Sequence, residues 1–155
     1  MERQPSSRTC FLCGRQNEIG LKMTWYNDPA AGQVRATVTI PEHFNGYPGF
    51  AHGGIIAALL DETAGRALLL EGSDEDLMVT LKLTVRYRRP TPTGEPLTVA
   101  GWVVRRTPLR ATVAAQILLA DGTVSAEGEA IVVRPPEEFF RRWEPEKPFW
   151  RVYED

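Results

Sequence analysis

The residues best suited to chemistry lie between 45 and 71, in NGYPGFAHGGIIAALLDETAGRALLLE. His52, Gly53 and Gly54 head a long apolar run, and Asp61 and Glu62 interrupt it. Glycine has no Cβ, so another group can come close to its backbone. Where a helix begins, the first N–H groups lack internal partners and the dipole favours negative charge. A helix starting at this triplet therefore offers a place for a developing oxyanion, with the Gly53 N–H as the best candidate donor. One such donor is worth about 2.7–4 kcal/mol in a transition state. His52 would orient the loop or add a second donor. The plainer alternative is that the triplet only makes a tight helix start. The two acids differ. Glu62 can pair with Arg66 at i+4 on the helix surface, worth about 0.2–0.5 kcal/mol. Asp61 has only Ala64 and Gly65 at i+3 and i+4 and lies too far along to cap its own helix. A carboxylate left unpaired among apolar residues is costly, which makes Asp61 the candidate general base or nucleophile.

The elements that must hold these residues follow from the hydrophobic pattern. The chain has 155 residues, enough for one core, with 43% hydrophobic and 25% charged residues. Its net charge of -2 points to neither nucleic acid nor an anionic membrane. The start, MERQPSSRTC, has no apolar h-region, and no apolar run reaches membrane-spanning length, so a cytoplasmic protein is expected. Residues 1–18 read as an irregular segment, 19–134 as the folded domain and 135–155 as a proline- and aromatic-rich tail packing on the body or on a partner. GLKMTWYND and GQVRATVTI read as two strands with a turn at 28–32. From Gly54 to about Glu71 apolar side chains surround the axis of a helix roughly 27 Å long, which must be buried. VTLKLTVRY alternates, with Val79, Leu81, Leu83, Val85 and Tyr87 on one face. It and three more strands read as a meander, with Asp121-Gly122 as a hairpin signal. A curved antiparallel sheet of about six strands could wrap the helix, leaving one helix flank and one sheet edge for a second chain.

With AHGGIIAALLDE at the head of the helix, this order resembles the hotdog-fold thioesterases, specifically the phenylacetate-pathway (PaaI-type) acyl-CoA thioesterase branch. The resemblance covers roughly residues 18–134. It implies an α+β hotdog fold and hydrolysis of an acyl-CoA to a carboxylic acid and free CoA. It also implies no cofactor and a homodimer or dimer of dimers. In that branch a His-Gly-Gly triplet opens the central helix and an acid follows nine residues after the histidine, here His52 and Asp61. Asp61 would face the partner chain's helix start at a shared site. Thr80, early in the strand after the helix, would position the water or Asp61, and Asn45 is the amide before the triplet. Both residues also read as an ordinary strand threonine and a turn-former before Gly46. Gly54 would admit the substrate, and Arg86, Arg88 and Arg89 at one strand end would meet the phosphates of coenzyme A, unless they are solvated edge residues. Arg105, Arg106 and Arg110 flank another hairpin.

Two other readings share the fold. EHFNGYPG resembles the HFPGxP stretch of β-hydroxyacyl-ACP dehydratases, with His43 as the loop histidine, although FAHGG and the Asp-Glu pair depart from it. A non-catalytic acyl-CoA-binding module is the other. Cys10 and Cys13 form a C-x-x-C, but a second cysteine pair is absent and His43 and His52 are the only histidines. No metal is expected on that count.

Overall fold

The computed structural model describes residues 1–73 and 76–154. Its strands are β1 (Glu2–Arg3), β2 (Tyr26–Asp28), β3 (Gln33–Thr39), β4 (Val79–Tyr87), β5 (Pro96–Arg106), β6 (Arg110–Leu118) and β7 (Val124–Val133). Helix α1 (Gly53–Arg66) continues as a 3-10 turn over Ala67–Leu69, and α2 (Glu137–Trp143) lies near the C-terminus. The strands form one antiparallel sheet in the order β1-β2-β3-β5-β6-β7-β4. Helix α1 touches β3, β4, β5, β6 and β7. A single helix can span five strands only if the sheet curves round it. This is the hotdog arrangement, with seven strands where about six were expected.

Two expectations fail for physical reasons. The last four long strands are not a simple meander. Only β5, β6 and β7 are; β4 crosses to the far edge and pairs with β7 from Val79↔Val133 to Tyr87↔Ala126. The flank of β5 where β4 would have paired is held by β3, from Val34↔Gly101 to Thr39↔Pro96. The segment RRPTPTGE carries two prolines, which lack the N–H a tight hairpin uses, and it runs as a connection. The first strand is also shorter than GLKMTWYND. Leu21 and Met23 donate their N–H groups to Phe11 and Leu12 and so bind the cysteine-containing turn instead of the sheet. The Asp121-Gly122 turn forms as expected, with Gly122 at φ 85° and Thr123 bonded to Asp121.

The core lies between α1 and the sheet. Ile56, Leu59, Leu60, Ala64 and Leu68 meet Val34, Val99, Val113, Ile117 and Val132. Trp25 is fully buried and donates its Nε1–H to Thr63 Oγ1 at 3.1 Å. The opposite flank of α1, from Gly54 through Ala57, Ala58 and Asp61 to Gly65, keeps exposure in the single chain. The tail packs on the body: Ser6 and Arg151 form a backbone bridge, and Arg8 pairs with Glu146 at 2.7 Å. Among the described residues no helix is long and apolar enough to cross a membrane.

Helix and sheet come close at Gly101 of β5, where a Cβ would sit 2.5 Å from the Thr63 carbonyl oxygen. Replacing Gly101→Ala is expected to cost about 1–3 kcal/mol by forcing the two apart. Urea unfolding should show a lower midpoint at an unchanged m-value.

Candidate active site

The segment before α1 is a tight loop held by its own backbone. Gly46 N–H donates to Phe50 O at 2.9 Å and His52 N–H to Phe44 O at 3.0 Å. Ala51 N–H reaches across to Thr91 O at 2.8 Å, so the 88–95 connection buttresses the loop. The Asn45 side-chain oxygen accepts from the Thr93 hydroxyl at 2.8 Å. His52 is the N-cap of α1, and its Nδ1 accepts from Gly54 N–H at 2.9 Å. An accepting Nδ1 leaves the ring proton of the neutral imidazole on Nε2. Gly54 N–H is thus spent on the cap, whereas Gly53 N–H has no acceptor among the described residues. Tyr87, at the end of β4, donates its hydroxyl to Gly53 O at 2.7 Å.

Asp61 lies two turns further along. The Thr80 hydroxyl donates to Asp61 Oδ1 at 2.7 Å. A β-bulge makes this contact possible. Thr80 opposes Val132 and Lys82 opposes Ile131, so Leu81 is the extra residue. The bulge reverses the expected alternation at that end of β4. Leu81 is 64% exposed instead of sharing the inner face with Leu83 and Val85, and Thr80 turns to the helix. Asp61 and Thr80 line a cleft of about 310 Å³ together with Gly65, Leu69, Met78 and Val132. A larger depression of about 660 Å³ beside β3 holds none of the residues singled out by sequence.

The candidate residues therefore fall into two groups within one chain. Asn45, His52, Gly53 and Gly54 gather at the helix start, beside the end of β4 that carries Arg86, with Arg88 and Arg89 just beyond it. Asp61 and Thr80 gather at the bulge. Eight residues at 1.5 Å each separate Gly53 from Asp61 by about 12 Å along the axis. Arg88 is committed to Glu127 at 2.6 Å, and Arg86 and Arg89 are exposed. Arg106 is tied to Leu68 O and Asp76, away from the helix start. His43 is exposed on a 3-10 turn with its ring 4.3 Å from that of Phe44.

Residues 48–126 match the family model described as the thioesterase superfamily. The chain belongs to that superfamily. Acyl-coenzyme A thioesterase THEM4 of Mus musculus is 31% identical over 147 residues, 95% of this chain. The chain spans 59% of the length of that relative, less than two thirds. The crystal structure of another thioesterase superfamily protein aligns with a TM-score of 0.74 at 35% identity, over 81% of this chain and 63% of that one. The E. coli PaaI protein from the phenylacetic acid degradation operon aligns with a TM-score of 0.61 at 20% identity, over 68% of this chain and 74% of its own, a likeness of fold.

In this thioesterase superfamily chain the acid beside Asp61 is not the surface residue expected. Glu62 does pair with Arg66, at 3.0 Å, but Arg66 is only 4% exposed. The N-terminal segment covers it: Arg66 Nη1 donates to Pro5 O at 2.8 Å and to the Gln4 side chain at 3.3 Å. Its guanidinium stacks on Trp25 and lies 5.4 Å from the Trp150 ring centroid. Burial pushes the Glu62 carboxyl above its ordinary range, against the pull of Arg66. The Cys13 thiol is held below its usual range chiefly by a hydrogen bond from Cys10, with Arg66 and Ser7 adding to it against burial. That same bond and burial push Cys10 up. The sequence reading missed Tyr87, Thr93 and the burial of Arg66. The first two act across loops, and the third depends on a segment that sequence pattern leaves unplaced.

Removing the guanidinium strands Glu62 and opens a gap between two tryptophans. Arg66→Ala is expected to lower stability by about 3–5 kcal/mol, read by chemical denaturation, where an exposed i,i+4 pair would cost only about 0.3–0.5.

Proposed function

We propose that the protein hydrolyses acyl-CoA thioesters at a site shared by two copies of the chain. The observation that carries this reading is the pairing of Asp61 with Thr80 at the mouth of a cleft, together with an unengaged Gly53 N–H at a helix start. The two lie about 12 Å apart in one chain, and a second chain set antiparallel on the open flank of α1 brings each acid to the other's helix start. The relatedness to proteins named acyl-coenzyme A thioesterase supports the substrate class.

The chemistry follows from the groups. The Thr80 hydroxyl occupies Asp61 Oδ1 and orients the carboxylate, so that Oδ2 takes a proton from water. The water oxygen bonds to the thioester carbonyl carbon, and the carbonyl oxygen becomes an oxyanion received by Gly53 N–H of the partner subunit. Collapse of that intermediate breaks the C–S bond, and the proton held on Asp61 passes to the departing sulfur or to solvent, which regenerates the carboxylate. The leaving group is a thiolate, a weaker base than the alkoxide an oxygen ester releases, and it departs readily. Direct attack by Asp61 on the carbonyl would break the C–S bond, expel the thiolate and leave an anhydride that water then opens to the acid and the free carboxylate, with the same residues in place. His52 holds the loop as an N-cap, and Asn45 fixes it through Thr93. The exposed Arg86 and Arg89, next to the helix start, are suited to the phosphates of coenzyme A. The two free thiols favour a reducing, cytoplasmic compartment.

Asp61→Asn keeps the bond from Thr80 and removes the base. It is expected to lower kcat by about 10²–10⁴-fold with acyl-CoA binding and oligomeric state unchanged. A screen of aryl, short, medium and long acyl-CoAs with thiol detection reads turnover, and calorimetry reads binding. Wild-type turnover in Asp61→Asn removes Asp61 from the mechanism. Tight binding without turnover by the unaltered protein makes it a binding module.

A further inference from the structure

The C-x-x-C turn has no part in the reaction above, yet it is built with care. Gly14 N–H donates to Cys10 O at 2.7 Å and closes one helical turn, which sets Cys10 and Cys13 on the same side. A Cβ at Gly14 would lie 2.3 Å from Cys10 O, so only glycine closes this turn. Both sulfurs accept hydrogen bonds. Leu12 N–H donates to Cys10 Sγ at 3.3 Å and Ser7 N–H to Cys13 Sγ at 3.4 Å, with the Ser7 hydroxyl also 3.4 Å from Cys13 Sγ. The donors at Cys13 favour its thiolate, and a bound cation would displace the proton that Cys10 shares with it. The turn packs on α1 so that the two sulfurs and a carboxylate oxygen of Glu62 lie within 4.8 Å of one another.

We propose that Cys10, Cys13 and Glu62 bind a divalent cation of the zinc class. Two thiolates and a carboxylate bring three negative charges, and the Arg66 guanidinium beside Glu62 brings one positive charge. The remainder matches one divalent ion. Two sulfur ligands select zinc over magnesium or calcium, which take oxygen. A water on the partly exposed side of Cys10 completes a tetrahedron. Cys13 is 1% exposed, which argues against a dithiol built for exchange, since an exchanging thiolate must be reached by its partner. The Glu62 donor is what the sequence reading lacked when it set metal aside. The ion would tie the N-terminal segment to α1 one residue from Asp61, and the site stands independently of the thioesterase reading.

The test uses the full chain, stripped with chelator under reductant and titrated with cobalt(II) and zinc(II). About one equivalent of cobalt should give a thiolate-to-metal charge-transfer band, which zinc then abolishes. Zinc should raise the melting temperature of the stripped protein by several degrees. Cys13→Ser should lose the band. Glu62→Gln keeps a hydrogen bond to Arg66 and should bind zinc at least tenfold more weakly with an unchanged circular dichroism spectrum. No band in protein with both thiols free, a band that survives Cys13→Ser, or a Cys10–Cys13 disulfide in protein purified without reductant overturns the proposal.

Discussion

A helix is a rigid ruler, and the structure depends on what that ruler keeps apart. Gly53 and Asp61 are eight residues from each other on α1, which fixes them about 12 Å apart whatever else the chain does. Neither group is well served by its own chain. Among the described residues the Gly53 N–H lacks an acceptor, because His52 caps Gly54 and not its neighbour. Asp61 accepts from Thr80 through Oδ1 and lines a cleft. On the proposed reading, donor and base become complementary when a second helix runs antiparallel against the first, and the small side chains of Gly54, Ala57, Ala58 and Gly65 leave room for that approach.

The rest of the fold serves to hold that ruler still. Gly101 lets the helix touch the sheet at Thr63, and Trp25 locks Thr63 from the other side. Strand β4 grips α1 at two places, through Tyr87 at Gly53 and Thr80 at Asp61. Among the described residues the same strand pairs only with β7, which leaves its outer edge open, and its Leu81 and Tyr87 side chains are exposed. The two halves of the candidate site and the unpaired edge thus belong to one strand and one helix.

Much of this could be read from residues alone. The helix was legible because a long, mostly apolar run follows a glycine pair, and the strands because alternation over 79–87 and the Asp121-Gly122 turn are local signals. The pairing of β4 with β7 was not legible. Local pattern sets which residues form strands, whereas strand order is decided by which edge remains open once β3 has paired with β5. The facing of Thr80 was hidden too, because one bulged residue reverses the side-chain parity of everything before it. The expected Glu62–Arg66 pair forms, but its burial comes from Gln4, Pro5 and Trp150, which are remote in sequence. Candidate residues were readable where chemistry is carried by type and spacing, as at His52, Gly53 and Asp61, and less so where it is carried by a partner across a loop, as at Tyr87.

A mixed assembly tests the shared site most directly. Gly53 is the first helical residue, where proline fits, so Gly53→Pro removes the N–H while keeping the helix start, and its ring adds carbon at van der Waals distance from Tyr87. Chains carrying Asp61→Asn and chains carrying Gly53→Pro should each be inactive alone. Unfolded together and refolded as a mixture, about half of the dimers are hybrids, and each hybrid keeps one of its two sites intact. The account predicts recovery of about a quarter of the unaltered activity. A mixture no more active than its components, with hybrids shown by native mass spectrometry, would contradict it.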